Sequence, residues 1–189
     1  SKIVVLDSFR SGETFSNGNL KSFGHFKNLL GFKGIVISGD INDKSVLKSL
    51  EKNYKFDYIF HQAAISDTTV QEQDLMIKTN VNAYEDLLKS AIKHKGNMIY
   101  ASSAATYGDS DRFEVGYEQP NNAYGFSKVM MDNVTYDYLK KDLDISIVGL
   151  KYFNVYGPRE FFKNKTASMV VQFGHQILKG LTPKLFEGS

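Results

Sequence analysis

The sequence predicts an α/β fold built on a doubly wound parallel sheet. Short apolar runs with the length of strands recur along the chain, at 2–7, 34–39, 56–61, 98–102 and 145–150. Segments with helical spacing of apolar residues alternate with these runs, at 44–53, 68–95 and 124–141. Strands and helices that alternate in this way form βαβ units, whose strands run parallel.

Individual elements carry local signals of the same structure. The runs at 4–6 and 35–37 are continuously apolar, as expected of strands that are covered on both faces. Asp43 is a favourable N-cap for the first helix, because its carboxylate can accept hydrogen bonds from the first turn. After Pro158 the alternation stops, with a helix predicted at 166–179 and an extended piece at 181–186. We therefore predict a sheet domain at 1–157 and part of a smaller domain at 158–189.

The composition of the chain excludes several classes of protein. With 189 residues, 42% of them hydrophobic, and a net charge of +2, it has the composition of a globular domain and no basic run that would indicate a nucleic-acid or membrane partner. It has no cysteine, and its four histidines lack the spacing of metal ligands, so no metal site is expected. No signal peptide or apolar run of membrane length is visible, which makes the cytoplasm the expected location.

One signal that is expected of a Rossmann-like, dinucleotide-binding domain is missing. Such domains open with a strand, a glycine-rich loop and a helix, which together bind the pyrophosphate. This chain has no G-x-x-G-x-x-G segment. We therefore predict that 1–157 is a dinucleotide-binding domain that lacks its first strand and glycine loop. We expect a fragment of a longer polypeptide that binds the dinucleotide weakly by itself.

The first turn of the chain has the character of a site that binds ribose. Asp7 ends the first predicted strand, and Ser8 and Arg10 follow it. A carboxylate in this place accepts hydrogen bonds from ribose hydroxyls, and Arg10 could accommodate a 2′-phosphate. The alternative is that Asp7 only terminates a strand and that Arg10 lies on a solvated loop.

Candidate catalytic groups end the fourth predicted strand and begin the next helix. Ser103 lies at the carboxyl edge of the sheet, where ligands of α/β proteins bind. Tyr124 and Lys128 are four residues apart and share one helical face. Because a nearby ammonium favours the phenolate, we predict that Lys128 lowers the pKa of Tyr124. The three side chains could move a proton and a hydride at a carbon bearing a hydroxyl; the alternative is an amphipathic helix with an exposed lysine.

Three motifs together resemble the extended short-chain dehydrogenase/reductase family of nucleotide-sugar epimerases and dehydratases. They are Tyr100-Ala-Ser-Ser-Ala-Ala-Thr-Tyr-Gly108, the pair Tyr124 and Lys128, and Lys151-Tyr-Phe-Asn-Val-Tyr-Gly-Pro-Arg159. Within this family, Pro183-Lys-Leu-Phe-Glu-Gly-Ser189 is similar to the ADP-glycero-manno-heptose 6-epimerases, which supply a lipopolysaccharide inner-core precursor in Gram-negative bacteria. The stretch 23–33 does not fit the family pattern and is interpreted as an insertion.

The resemblance implies roles for individual residues. Ser103 would hydrogen-bond the reacting hydroxyl or carbonyl, Tyr124 would act as acid/base, and Lys128 would bind the nicotinamide ribose. Lys163 corresponds to a second acid/base, although its spacing alone is that of a solvated loop lysine. Besides Tyr124, Lys128 and Lys163, the cofactor-binding positions are Asp7, Ser8, Arg10, Lys44, Gln62, Ala63, Ala64, Ile65, Ser66, Asn80 and Val155. The substrate-binding positions are Ser103, Asn154, Lys165, Gln172, Phe186, Glu187, Gly188 and Ser189, where Lys165 and Gln172 replace a serine and a histidine of the family.

The resemblance also implies a reaction. A carbon that carries only OH and H has no acidic hydrogen, so its inversion requires transient oxidation and return of the hydride to the other face. The expected cofactor is NADP, with NAD possible, the expected substrate is ADP-heptose, and we expect a homo-oligomer. The alternatives are another activity of the family, such as a UDP-hexose 4-epimerase or a 4,6-dehydratase, and a module that binds sugar nucleotides without turnover.

Overall fold

Five strands form two parallel sheets in the computed structural model, which describes residues 2–183 except for the side chains of residues 161, 164 and 165. β1 (Val4–Asp7) pairs with β2 (Ile35–Ser38). β4 (Asn97–Ser103) lies between β3 (Tyr58–His61) and β5 (Ile147–Tyr152). All three strand pairs are parallel, which confirms the predicted α/β class with a Rossmann-like topology.

The strand order matches a Rossmann-like sheet from which one strand is missing. In the usual order 3-2-1-4-5-6, the first strand joins the second to the fourth. β1 and β2 correspond to the second and third strands, and β3, β4 and β5 to the next three. Among residues 2–183 no strand joins β1 to β3, so the sheet is divided into a pair and a triplet.

The helices follow the predicted alternation with the strands. They are α1 (Lys44–Asn53), α2 (Gln73–Ile77), α3 (Ala83–His94), α4 (Ala123–Leu139) and α5 (Met169–Leu178). α1 has the predicted bounds, and the Asp43 carboxylate accepts a 2.8 Å hydrogen bond from the Ser45 N–H. The helix predicted at 68–95 begins only at Gln73, because the Asp67 carboxylate accepts a hydrogen bond from the Thr69 N–H and holds a turn before it. A π-helical turn (Lys78–Asn82) joins α2 to α3.

The main core lies between the three-stranded sheet and one layer of helices. Met98 and Tyr100 of β4 are buried against α3 and α4, where they pack with Met131. On the opposite face of the sheet, Tyr58 and Phe60 of β3 are 60% and 66% exposed. The helices of the described residues therefore cover one face of this sheet.

Beyond β5 the chain forms a short 3-10 helix (Phe161–Thr166) followed by α5. The helix predicted at 166–179 is confirmed with narrower bounds, and the Ser168 hydroxyl caps it by accepting a hydrogen bond from the Val171 N–H. Residues 181–183 form no strand, and the rest of the predicted extended piece lies outside the described residues. Across residues 2–183, no helix has the length and apolarity that crossing a membrane requires.

Candidate active site

Ser103 and Tyr124 come together where β4 meets α4. Ser103 is the last residue of β4, and its Oγ accepts a 3.1 Å hydrogen bond from the Ala105 N–H as the chain turns into a short 3-10 helix (Ala104–Thr106). Tyr124 lies in the first turn of α4, where the Ser103 hydroxyl is near enough to lower the pKa of its phenol. A hydroxyl and a phenol therefore meet at the carboxyl edge of the sheet.

The start of α4 is built for this close approach. Asn122 caps the helix, because its Oδ1 accepts a 2.8 Å hydrogen bond from the Gly125 N–H. A Cβ on Gly125 would lie 2.4 Å from the Ala105 carbonyl oxygen. Since glycine has no Cβ, the first turn of α4 can lie directly against the turn that follows Ser103.

Lys128 is the third member of the group and is almost completely buried. Its Nζ donates a 2.7 Å hydrogen bond to the Ala101 carbonyl of β4 and lies 5.7 Å from the centre of the Tyr124 ring. Burial lowers the pKa of Lys128 to about 8, although the negative charge of Asp132 opposes this shift. Among the described residues Ala101 is its hydrogen-bond partner, so the ammonium keeps N–H groups available for a ligand.

The pKa of Tyr124 moves in the direction opposite to the predicted one. Burial of the phenol raises this pKa, and the nearby Ser103 hydroxyl only partly opposes the rise. The prediction that Lys128 lowers the pKa of Tyr124 is therefore wrong for this arrangement. The physical reason is that desolvation of the phenol dominates, while the Lys128 ammonium is directed to the Ala101 carbonyl.

The loop predicted to lie along a cofactor, residues 62–66, is held in place by Asn80. The Asn80 Oδ1 accepts a 2.8 Å hydrogen bond from the Ile65 N–H, and its Nδ2 donates 2.9 Å hydrogen bonds to the Ile65 carbonyl and the Ser127 hydroxyl. Asn80 is fully buried in the π-helical turn, so it supports the loop from behind. Gln62, Ala63 and Ser66 are exposed, Ala64 is half-buried and Ile65 is buried.

His61 ends β3 immediately before this loop. Its ring stacks on Tyr84, and its Nε2 is buried with no hydrogen-bond partner among residues 2–183. Burial, and to a smaller extent the charge of Lys128, lowers the pKa of His61 to about 4. The imidazole is therefore neutral near pH 7.

The Asp7 turn lies at the carboxyl end of β1. One Asp7 carboxylate oxygen accepts a 2.7 Å hydrogen bond from the N–H of Phe9, whose φ is +51°. A Cβ on Gly24 would lie 2.2 Å from that same oxygen, so a side chain there would displace the carboxylate. The Ser8 hydroxyl donates a 3.3 Å hydrogen bond to the Ser22 hydroxyl. The turn thus fixes a carboxylate at a strand end, where it can accept hydrogen bonds from ribose hydroxyls.

Two basic residues predicted to bind the cofactor also make contacts within the protein. The Arg10 guanidinium donates a 2.5 Å hydrogen bond to the Phe162 carbonyl. Lys44, at the start of α1, lies 3.4 Å from an Asp86 carboxylate oxygen on α3, and both groups are at the surface. Their roles toward a cofactor stay predictions.

Several site residues were predicted beyond β5. Among the described residues, none of them contacts Ser103 or Tyr124. Asn154, Val155 and Lys163 are exposed. Gln172, in α5, donates a 2.7 Å hydrogen bond to the Ala167 carbonyl. The side chain of Lys165 and all of Phe186, Glu187, Gly188 and Ser189 lie outside the described part of the chain.

A cluster of charged side chains next to the site was not predicted. The Lys151 Nζ lies 3.0 Å from a Glu118 carboxylate oxygen and 3.2 Å from one of Asp132, and all three side chains are largely buried. One sequence signal was available, since Asp132 follows Lys128 by four residues and shares its helical face. Glu118 and Lys151 belong to distant parts of the chain, and nothing in the sequence links them.

The sequence matches the profile of the NAD dependent epimerase/dehydratase family over residues 1–189. Among solved structures, the ADP-L-glycero-D-manno-heptose-6-epimerase of Helicobacter pylori is 51% identical, with a TM-score of 0.82 over 94% of this chain and 54% of that chain. The UDP-glucose 4-epimerase of Thermus thermophilus, solved with NAD, is 24% identical, with a TM-score of 0.75 over 94% of this chain and 55% of that chain.

A third solved structure shares the fold. It is the UDP-N-acetylglucosamine 4-epimerase of Methanobrevibacter ruminantium, which is 24% identical with a TM-score of 0.78, over 98% of this chain and 57% of that chain. The chain thus spans about half the length of these relatives. The family profile matches the whole chain, and the strand order and the Ser103–Tyr124–Lys128 group are consistent with that match. The chain belongs to the NAD dependent epimerase/dehydratase family.

Proposed function

We propose that the protein containing this chain is an ADP-glycero-manno-heptose 6-epimerase that inverts C6'' by transient oxidation. The observation that carries the proposal is the placement of the Ser103 hydroxyl and the buried Lys128 ammonium beside Tyr124. The 51% identity with the Helicobacter pylori enzyme supports the choice of substrate. The product would serve lipopolysaccharide precursor synthesis in the cytoplasm, and we expect a homo-oligomer.

The residues present fit a nicotinamide dinucleotide. Lys128 retains N–H groups for ribose hydroxyls, the Asp7 carboxylate is fixed at a strand end, and the loop 62–66 is anchored by Asn80. When bound, the oxidised nicotinamide supplies the hydride acceptor and a positive charge that favours the phenolate of Tyr124. We propose NADP rather than NAD, because Arg10 lies close in sequence to Asp7 and can carry a 2′-phosphate contact.

In this proposal Tyr124 removes the proton of the C6'' hydroxyl as the sugar is oxidised, while Ser103 orients the reacting oxygen. Lys163 acts as the second acid/base when the ketone presents its other face. With a domain boundary between 157 and 158, Lys163 belongs to the substrate side of the protein. Asn154, Lys165 and Gln172 would also contact the substrate, and the loop at 186–189 would contact its nucleotide.

A direct comparison of substrates tests the proposal. The intact protein is incubated with NADP and either ADP-glycero-manno-heptose or UDP-galactose, and the stereochemistry of the recovered sugars is followed by NMR. We expect inversion at C6'' of the heptose and none at C4 of the galactose. Inversion of the galactose alone would assign a UDP-hexose 4-epimerase, and binding of either sugar without inversion would assign a non-catalytic module.

A further inference from the structure

Lys151 lies at the centre of the charged cluster beside the candidate site. Its Nζ is within hydrogen-bond distance of three acceptors: Thr106 Oγ1 at 2.9 Å, Glu118 Oε1 at 3.0 Å and Asp132 Oδ2 at 3.2 Å. An ammonium has three N–H donors, so these acceptors saturate it. The Lys151 side chain is 17% exposed, and it therefore has no role as an ordinary surface cation.

Two of the three partners belong to segments that carry reacting groups, and the third lies in the segment that leads into one of them. Thr106 donates a 2.8 Å hydrogen bond to the carbonyl of Ser103. Asp132 lies on α4, one turn beyond Lys128. Glu118 precedes Gln119, whose N–H donates to the Tyr107 carbonyl and starts the return of the chain to α4.

The Asp132 carboxylate extends the cluster into β4. It accepts hydrogen bonds from the Tyr100 hydroxyl at 2.7 Å and the Ser102 hydroxyl at 3.0 Å. Ser102 is the residue before Ser103, so the strand end that bears Ser103 is tied to the same carboxylate as Lys151. Among the described residues, the hydrogen bonds and ion pairs of the Lys151 side chain go to Thr106, Glu118 and Asp132 and not to Ser103, Tyr124 or Lys128.

We propose that Lys151 is a positioning residue, which fixes the segments bearing Ser103, Tyr124 and Lys128 relative to one another through Thr106, Glu118 and Asp132. The inference rests on the proposed function, because it takes those three side chains to be the reacting groups. A buried ammonium between two carboxylates is weak evidence for stability, since an apolar replacement of a complete buried pair is often neutral. Misplacement of reacting groups, by contrast, has a large effect on rate.

The test separates position from stability. Lys151→Met leaves two buried carboxylates without their cation, whereas Lys151→Met combined with Asp132→Asn removes one charge of each sign. We expect the double variant to recover most of the urea-unfolding stability that the single variant loses, yet to keep a kcat for epimerisation at least about tenfold below that of the parent. Lys151→Arg keeps the charge but changes the donor geometry, because the guanidinium is longer and planar, so its kcat should lie between those of the parent and Lys151→Met. Recovery of both stability and kcat in the double variant would overturn the proposal.

A second readout needs no substrate. The pKa of Tyr124 is followed by NMR of ring-labelled tyrosine in the intact protein. The nearby Ser103 hydroxyl lowers this pKa, and the double variant leaves the local net charge unchanged, so a displaced Ser103 should raise it. A pKa equal to that of the parent would contradict the positioning role even if the protein proved to have another substrate. The matched control is Lys140→Met with Asp137→Asn, an exposed pair at the end of the same helix, which should change neither readout.

Discussion

Gly125 lies so close to Ala105 that a Cβ on the glycine would sit 2.4 Å from the Ala105 carbonyl oxygen. This close approach sets the distance between α4 and the turn after Ser103, and with it the placement of Tyr124 beside Ser103. The close approach therefore positions the candidate site as well as packing the helix against the turn.

Gly125→Ala should displace the first turn of α4. Overpacking against a backbone oxygen costs about 1–3 kcal/mol, which exceeds the gain of about 1 kcal/mol that alanine brings to a helix. We expect a lower free energy of unfolding in urea and a lower epimerase rate. Gly174→Ala is the matched control, because a Cβ on Gly174 of α5 meets nothing within 4 Å and the same substitution should stabilise the protein. Equal behaviour of the two variants would refute this account of Gly125.

Asn80→Ala should weaken cofactor binding indirectly, because Asn80 holds the loop 62–66 in place. The substitution leaves the N–H and carbonyl of Ile65 unpaired at a buried position, which costs about 1–3 kcal/mol for each group. Calorimetry with NADP should show weaker binding, together with a lower urea midpoint. Asn82→Ala, at an exposed position two residues further on, should leave both quantities unchanged. Unaltered NADP affinity in Asn80→Ala would show that the loop 62–66 does not contribute to binding.

Tyr124→Phe should remove most of the epimerisation and leave the fold intact. Loss of a general acid/base lowers rates by about 10²–10⁴-fold. Because phenylalanine keeps the ring that packs against the core and loses only the hydroxyl, circular dichroism and the urea midpoint should change little. Tyr136→Phe, on the exposed side of the same helix, serves as the control and should keep the parental rate. Turnover near the parental value in Tyr124→Phe would reject the acid/base role.

His61 should make the stability of the protein depend on pH in the acid range. Its pKa is lowered from 6.5 to about 4 in the folded state, so the unfolded chain takes up the proton first as the pH falls. Stability should therefore decline between pH 6.5 and about pH 4, by about 3 kcal/mol in total.

The substitution His61→Gln should flatten that part of the pH dependence, whatever its effect on stability near pH 7. Urea unfolding measured at several pH values checks this expectation. His175→Gln, on the exposed side of α5, should leave the acid-range slope in place. A slope that survives in His61→Gln would assign the pH dependence to other groups.

Much of the fold followed from local signals in the sequence. Asp43 and the apolar spacing after it gave the bounds of α1, and the apolar runs gave the five strands and their parallel pairing. The meeting of a strand-end serine with Tyr124 followed from the rule that ligand sites lie at the carboxyl edge of such sheets.

Features that depend on burial and on contacts between distant parts of the chain could not be predicted from the sequence. Spacing placed Lys128 near Tyr124, but it could not show that desolvation raises the phenol pKa or that the ammonium bonds to Ala101. The partner of Arg10, the Phe162 carbonyl, lies far away in the chain. The cluster around Lys151 joins parts of the chain that have no common sequence pattern.

The central claim is that a hydride leaves C6'' of the sugar for the cofactor and returns to the opposite face of the same carbon. The most direct measurement uses ADP-heptose with deuterium at C6'', incubated with the intact protein in ordinary water and analysed by mass spectrometry. We predict an inverted product that retains the deuterium. Inversion with loss of the deuterium to solvent would contradict the account, because it would mean that the carbon was deprotonated rather than oxidised.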